Sequence, residues 1–107
     1  MELRVLYNLF AKHPESGWIM KPNNARILFD FIKTNEVKNI LDLGGGIGCA
    51  AAVASLALQQ KGKEGRIDSV EQGQKCYDIA KALVPEELQK IIKFHLIPVS
   101  VWKHDSI

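Results

Sequence analysis

The chain has 107 residues, of which 47% are hydrophobic and 24% are charged, and its formal net charge is +2 at pH 7. This length suits one small domain. So small a charge, on basic residues scattered along the chain, argues against a nucleic acid or an anionic membrane as partner. No apolar run approaches the roughly 18 residues that a transmembrane helix needs.

The N-terminal residues and the cysteines indicate a cellular compartment. The first residues lack the basic lead, the long apolar core and the cleavage site of a secretory signal. Cys49 and Cys76 are far apart in the sequence, so they have no metal-ligand spacing, and each falls in a predicted helix as a buried free thiol. We therefore expect a reducing, cytoplasmic location.

Residues 1–36 are predicted to form a helical lead-in. Apolar residues at helical spacing predict one helix over residues 1–13 and a second over residues 25–33. A turn is predicted at residues 13–17. Trp18 follows this turn in a short apolar patch, and its size favours packing in the core or under a lid over contact with a substrate.

Residues 38–52 predict a strand, a tight glycine turn and a helix. Ile40, Leu41 and Leu43 form a short apolar run, which is typical of a buried parallel strand. Four glycines follow within five positions, and small residues with good helix propensity begin at Cys49. Such a turn directs backbone N–H groups and a helix N-terminus at the space beyond the strand, as in α/β sheets that bind nucleotide-like ligands.

The rest of the chain continues the alternation of helices and strands. The patterns predict helices Cys49–Gln60 and Gln74–Leu83, a short helix over residues 86–92, and strands at Arg66–Glu71 and at residues 93–102. Pro98 places the last strand at a sheet edge or near its own end, because proline donates no ladder hydrogen bond. This order predicts an α/β fold with a three-stranded parallel sheet and right-handed crossovers.

Asp42, Gly44, Gly46 and Gly48 fill the spacing acid-x-Gly-x-Gly-x-Gly. With the apolar strand before it and an acid ending the next strand, this pattern resembles the first motif of class I S-adenosylmethionine-dependent methyltransferases. The resemblance implies a Rossmann-like parallel sheet flanked by helices. Because a whole domain of that family has more strands than are predicted here, the resemblance covers its N-terminal, cofactor-binding half. Residues 1–107 would then form a single, partial methyltransferase-like domain.

The resemblance also implies which side chains bind S-adenosylmethionine. Asp42 would fix the ammonium group of the methionine part, directly or through water. Glu71, at the end of the second strand, would accept hydrogen bonds from both ribose hydroxyls. Gln72 would lie at the edge of the adenine pocket.

The glycines of the turn take two roles under the same resemblance. Gly44, Gly45 and Gly46 would let the backbone approach the ligand. Gly48 would permit tight packing of the helix on the strand.

The sequence identifies no catalytic residue and no metal-binding acid cluster. The family often has an acid after the third strand, but here Ser100 lies near the comparable place and no acid occurs before Asp105. His95 and His104 lack a partner motif and are expected to be structural or exposed. Methyl transfer would depend on placing an acceptor, a small molecule or an unknown group, in line with the sulfonium methyl.

Two alternatives to a methyltransferase remain open. An NAD(P)-binding Rossmann fragment is one, although Cys49 occupies the third glycine position of the dinucleotide pattern. A non-enzymatic, truncated or degenerate methyltransferase-like domain is the other.

In the family the first strand lies between the second and the fourth, so here residues 40–43 would form an apolar edge. We therefore expect self-association, a partner chain that completes the sheet, or poor solubility.

Overall fold

The computed structural model describes residues 1–62 and 64–101, and its elements follow the predicted alternation. They are α1 (Leu3–Ala11), a 3₁₀ turn (Ser16–Trp18), α2 (Pro22–Thr34), β1 (Asn39–Leu43), α3 (Cys49–Gln60), β2 (Arg66–Glu71), α4 (Gln74–Leu83), α5 (Glu86–Gln89), β3 (Ile92–Leu96) and a second 3₁₀ turn (Val99–Val101). No helix within these residues has the length and apolar character that crossing a membrane requires.

Prolines account for two differences from the predicted bounds. α2 begins at Pro22 rather than at residue 25, because proline at the first helical position has a suitable φ and needs no N–H partner. The last strand ends at Leu96, since only the Ile97 N–H continues the ladder, to the Glu71 carbonyl at 3.1 Å, before Pro98 interrupts it. The predicted strand residue Trp102 lies outside the described residues.

The short helix predicted over residues 86–92 is shorter in the structure, for a different reason. α5 ends at Gln89, and Ile92 opens β3 instead. Ile92 is buried and pairs with Ile67 of β2, so its apolar side chain serves the sheet and not the helix. Apolar spacing alone does not distinguish these two uses in so short a run.

The sheet is parallel and has the order β1-β2-β3, which confirms the predicted three-stranded parallel sheet. Its register pairs Asp42 with Ser69, so the carboxyl ends of β1 and β2 lie side by side. Within the described residues β1 forms one edge of the sheet, as predicted. Leu43 at its end is 52% exposed.

The hydrophobic core lies on one face of the sheet. Because side chains alternate along a strand, the register places Ile40, Ile67 and Ile92 together on the face that packs in the core cluster. α3 is buried along most of its length and contacts α1, α2 and α5 as well as β1 and β2. A well-packed helix therefore holds the glycine turn that precedes it.

Candidate functional site

The turn between β1 and α3 folds over the end of β2. The N–H groups of Gly44 and Gly45 both donate to the Val70 carbonyl, each at 2.8 Å. Gly44, Gly46 and Gly48 have φ values of 79°, 58° and 97°, which lie in the left-handed region that favours glycine. A Cβ at Gly44 or Gly46 would meet no atom within 4 Å, so the space beside both is open to a ligand.

Gly45 and Gly48 are instead closely surrounded by protein atoms. A Cβ at Gly45 would lie 2.3 Å from the Ser69 hydroxyl oxygen. At Gly48 it would lie 2.7 Å from a Val84 methyl carbon and 3.1 Å from the Ala80 Cβ. Gly48 therefore permits the start of α3 to pack closely against the end of α4. The sequence had predicted that this glycine permits a helix to pack on a strand.

Asp42 lies beside the turn as the penultimate residue of β1. The Ser69 hydroxyl donates a hydrogen bond to its Oδ2 at 3.1 Å. Partial burial raises the pKa of the Asp42 carboxyl above its usual value, the Ser69 hydrogen bond opposes that rise, and the nearby Glu71 carboxylate adds to it. No lysine or arginine side chain in the described ranges hydrogen-bonds to Asp42 or forms an ion pair with it, so its charge is available to a cationic group.

Glu71 joins the glycine turn to the turn that follows β2. Its Oε1 accepts a hydrogen bond from the Gly46 N–H at 2.9 Å, and its Oε2 accepts one from the Gly73 N–H at 2.8 Å. Each carboxylate oxygen has a further lone pair, so these bonds orient the group and leave it able to accept more. Gln72 is exposed beside it.

A cavity of about 150 Å³ opens beside the turn. Its walls come from three parts of the chain: residues 15 and 18–20 of the lead-in, residues 42, 44–47, 49 and 50 around the glycine turn, and Cys76 of α4. Glu71 and Gln72 are not among the described residues that line it. The cavity is smaller than the roughly 300–1,000 Å³ of a complete ligand pocket, so it accounts for part of a site.

The lead-in wall is the part of the site that sequence reasoning missed. Trp18 was expected in the core or under a lid, but its side chain is 99% exposed, so core packing is wrong. Ile19 and Met20 are half-buried against the core. The available signal was the apolar patch itself, which lies next to a turn and shortly before the glycine-turn strand.

Neither cysteine near the turn has the properties of a nucleophile. Burial, with a smaller contribution from the Asp42 charge, raises the pKa of the Cys49 thiol to about 11. Burial also raises the pKa of the Cys76 thiol. Both are free, Cys49 buried as expected and Cys76 only partly buried. Since the thiolate is the reactive form, the structure supports no cysteine-based chemistry here.

His95 belongs to a separate, partly buried cluster of ionisable side chains. Its Nε2 lies 2.8 Å from Asp68 Oδ1, and Arg66 donates two hydrogen bonds to the same carboxylate at 2.9 and 3.0 Å. Burial alone would raise the pKa of Asp68, but the hydrogen bonds from Arg66 and His95 hold it below its usual value. His95 pairs with Val70 in the register, on the sheet face opposite Asp42 and Ser69, which agrees with a structural role.

Two further residues considered from the sequence do not enter the site. Ser100 lies exposed in the second 3₁₀ turn and is not among the cavity residues. His104 and Asp105 lie outside the described residues. No group of three or more histidine, cysteine, aspartate or glutamate side chains suited to a metal ion occurs in residues 1–62 and 64–101.

Comparison with known proteins gives one family match. The sequence model of the family described as protein-L-isoaspartate(D-aspartate) O-methyltransferase (PCMT) matches residues 12–100. A search of curated proteins found no significant match.

Solved structures of methyltransferases share the fold. An O-methyltransferase from Bacillus cereus in complex with SAH has a TM-score of 0.69 at 18% identity, with 88% of this chain and 42% of that chain covered. The TomG O-methyltransferase from Streptomyces achromogenes, in complex with SAM, has a TM-score of 0.69 at 15% identity, covering 88% and 41%. A SAM-dependent O-methyltransferase from Thermotoga maritima has a TM-score of 0.73 at 18% identity, covering 92% and 36%.

These similarities confirm a partial Rossmann-like methyltransferase fold. The chain spans less than half the length of each of these three proteins.

Proposed function

The chain belongs to the protein-L-isoaspartate(D-aspartate) O-methyltransferase family, and we propose that it forms the cofactor-binding half of an S-adenosylmethionine-dependent methyltransferase. The observation that carries this proposal is the arrangement of two carboxylates around the glycine turn. The Asp42 carboxylate lies beside the turn with Ser69, and the Glu71 carboxylate accepts a hydrogen bond from the Gly46 N–H of the turn at 2.9 Å.

The residues present fit this cofactor. The space beside Gly44 and Gly46 is open, so the ligand can approach the backbone there. Two carboxylates, Glu15 and Asp42, line the cavity, and no lysine or arginine does so in the part of the chain that the structure describes. Such a lining suits a ligand that carries an ammonium and a sulfonium group.

Each residue then has a binding task. Asp42 would accept hydrogen bonds from the ligand ammonium, and Glu71 would use its remaining lone pairs for the ribose hydroxyls. Gln72, exposed next to Glu71, would border the adenine. The cofactor supplies the electrophilic methyl group, and Asp42, Glu71 and Gln72 contribute binding and orientation.

The methyl acceptor is proposed to be a small molecule. The family description names isoaspartyl protein, and the Streptomyces relative is described as acting in tomaymycin synthesis. A methylation assay of this chain with an isoaspartyl peptide, compared with a panel of hydroxyl-bearing small molecules, distinguishes these acceptor classes. Methylation of the peptide alone would contradict the small-molecule proposal.

Separate titrations with two ligands test the cofactor assignment. We expect isothermal calorimetry to detect S-adenosylhomocysteine binding and no NAD⁺ binding. We expect the chain to bind S-adenosylhomocysteine and not NAD⁺, because the buried Cys49 occupies the position where the dinucleotide pattern needs its third glycine. Binding of NAD⁺ alone would overturn the proposal. Binding of neither ligand by a folded chain would favour the non-enzymatic reading.

The β1 edge supports a further part of the proposal, a partner strand that extends the sheet. Leu43 is 52% exposed at this edge, and an unpaired edge strand offers backbone groups to another chain. We expect self-association in size-exclusion chromatography with light scattering, reduced by Leu43→Lys. The control Ile27→Lys changes an apolar residue on α2 that is exposed to a similar extent, 60%. A wild-type chain that is monomeric at all concentrations would contradict self-association.

A further inference from the structure

The segment formed by residues 15–20, here called the rim segment, is fixed against the cavity. At one end, the Glu15 carboxylate accepts a hydrogen bond from Lys75 of α4 at 2.5 Å. At the other end, the Tyr7 hydroxyl of α1 donates to the Met20 carbonyl at 2.7 Å. Ile19 packs on the core between them. Two helices therefore define the position of this segment.

Trp18 stands out within the rim segment. Its side chain is 99% exposed, yet it borders the same cavity as its half-buried neighbours Ile19 and Met20. An indole is a large, rigid, largely apolar surface, and here it contributes almost no burial to the fold. The rim segment thus presents an exposed aromatic surface beside the cavity.

The charge of the cavity indicates what this surface meets. Glu15 and Asp42 are its charged lining residues within the described chain, and both are acidic. Lys75 neutralises Glu15, whereas Asp42 has only the neutral Ser69 hydroxyl as a side-chain partner among those described. A cavity of this kind favours a cation, and the face of tryptophan attracts cations more strongly than the other aromatic rings do.

We infer that Trp18 covers the positively charged sulfonium end of the bound cofactor and so favours S-adenosylmethionine over the neutral thioether S-adenosylhomocysteine. This inference rests on the proposed function. Asp42 marks the methionine end of the site, and Trp18 lines the same cavity as Asp42, whereas Glu71, which is assigned to the ribose, does not. A preference for the charged form would also help the product to leave.

Calorimetric titration of the wild-type chain, Trp18→Ala and Trp18→Phe with both ligands tests this role. We expect Trp18→Ala to weaken S-adenosylmethionine binding by about 2-fold to 30-fold, the range of one cation–π contact, and to weaken S-adenosylhomocysteine binding less. Trp18→Phe keeps an aromatic face and should retain part of the preference. Phe31→Ala is the control, because Phe31 is an exposed aromatic residue on α2 that does not line the cavity.

A fluorescence measurement gives a second readout. The difference between wild-type and Trp18→Phe emission isolates Trp18, and we expect S-adenosylmethionine to protect that emission from acrylamide quenching. If the wild type binds the ligands but Trp18→Ala weakens both equally or neither, or if the emission is not protected, the inference is overturned and the proposed function stands. If the wild type binds neither ligand, both fail.

Discussion

Replacing Gly48 by alanine is expected to destabilise the fold by about 2–5 kcal/mol. Its φ of 97° is left-handed, which costs a residue with a Cβ roughly 1–2 kcal/mol. The new Cβ would lie 2.7 Å from a Val84 methyl carbon and 3.1 Å from the Ala80 Cβ, and overpacking of this kind costs about 1–3 kcal/mol. The sum is a large share of the roughly 5–15 kcal/mol that stabilises a typical domain.

Urea denaturation followed by circular dichroism measures this loss. Gly62→Ala is the matched control, since Gly62 has a φ of 72° with no atom within 4 Å of its would-be Cβ; it should lose only the backbone part, about 1–2 kcal/mol. Val84→Ala removes the closest methyl group, so the double variant with Gly48→Ala should lose less stability than the sum of the single variants. Equal losses for the two glycine variants, together with additivity, would refute the packing argument.

Further predictions concern the ionisable groups. The pKa of Asp42 is raised on folding, so the stability of the fold falls as pH rises through that pKa. Asp42→Asn removes the charge and should therefore stabilise the unliganded fold at pH 7. Urea denaturation should show that this gain in the free energy of unfolding disappears at acid pH. Because folding lowers the pKa of Asp68, this carboxylate stabilises the fold above its unfolded-state pKa, and the stabilisation is lost as pH falls through its folded-state pKa. Asp68→Asn should therefore make the free energy of unfolding less dependent on pH in the acid range. An unchanged pH dependence would argue against the role of the Arg66–Asp68–His95 cluster. Iodoacetamide at pH 7.5 should modify Cys76 before Cys49, because Cys49 is buried with a pKa of about 11; mass spectrometry showing the reverse order would contradict this burial.

The strand, the turn and the acids at the strand ends could be predicted because their signals are local. Four glycines within five positions and an apolar run before them specify a strand–turn–helix unit without reference to the rest of the chain. The proximity of Asp42 to the end of β2 then follows from parallel pairing, which places it opposite Ser69. The bond from the Gly46 N–H to Glu71 adds a contact that this topology permits but does not require.

The cavity wall formed by the rim segment could not be predicted, because it depends on contacts between distant parts of the chain. The salt bridge between Glu15 and Lys75 joins residues 60 positions apart. The exposure of Trp18 is the clearest failure, since size and hydrophobicity favour burial and only the position of the rim segment overrides them. Gly48 was assigned to the wrong neighbour for the same reason, as the end of α4 closes on it through tertiary packing.

The most direct test of the central claim is a calorimetric titration of the chain and of Asp42→Asn with S-adenosylhomocysteine. The asparagine amide oxygen can still accept the hydrogen bond from the Ser69 hydroxyl while the negative charge is removed, so the fold should be retained. Loss of one charge-assisted hydrogen bond of about 1.5–3 kcal/mol predicts binding weaker by roughly 10-fold to 150-fold. Glu36→Ala, which removes an exposed acid that does not line the cavity, should bind like the wild type. Wild-type affinity in Asp42→Asn, or no binding by the folded wild-type chain, would contradict the account.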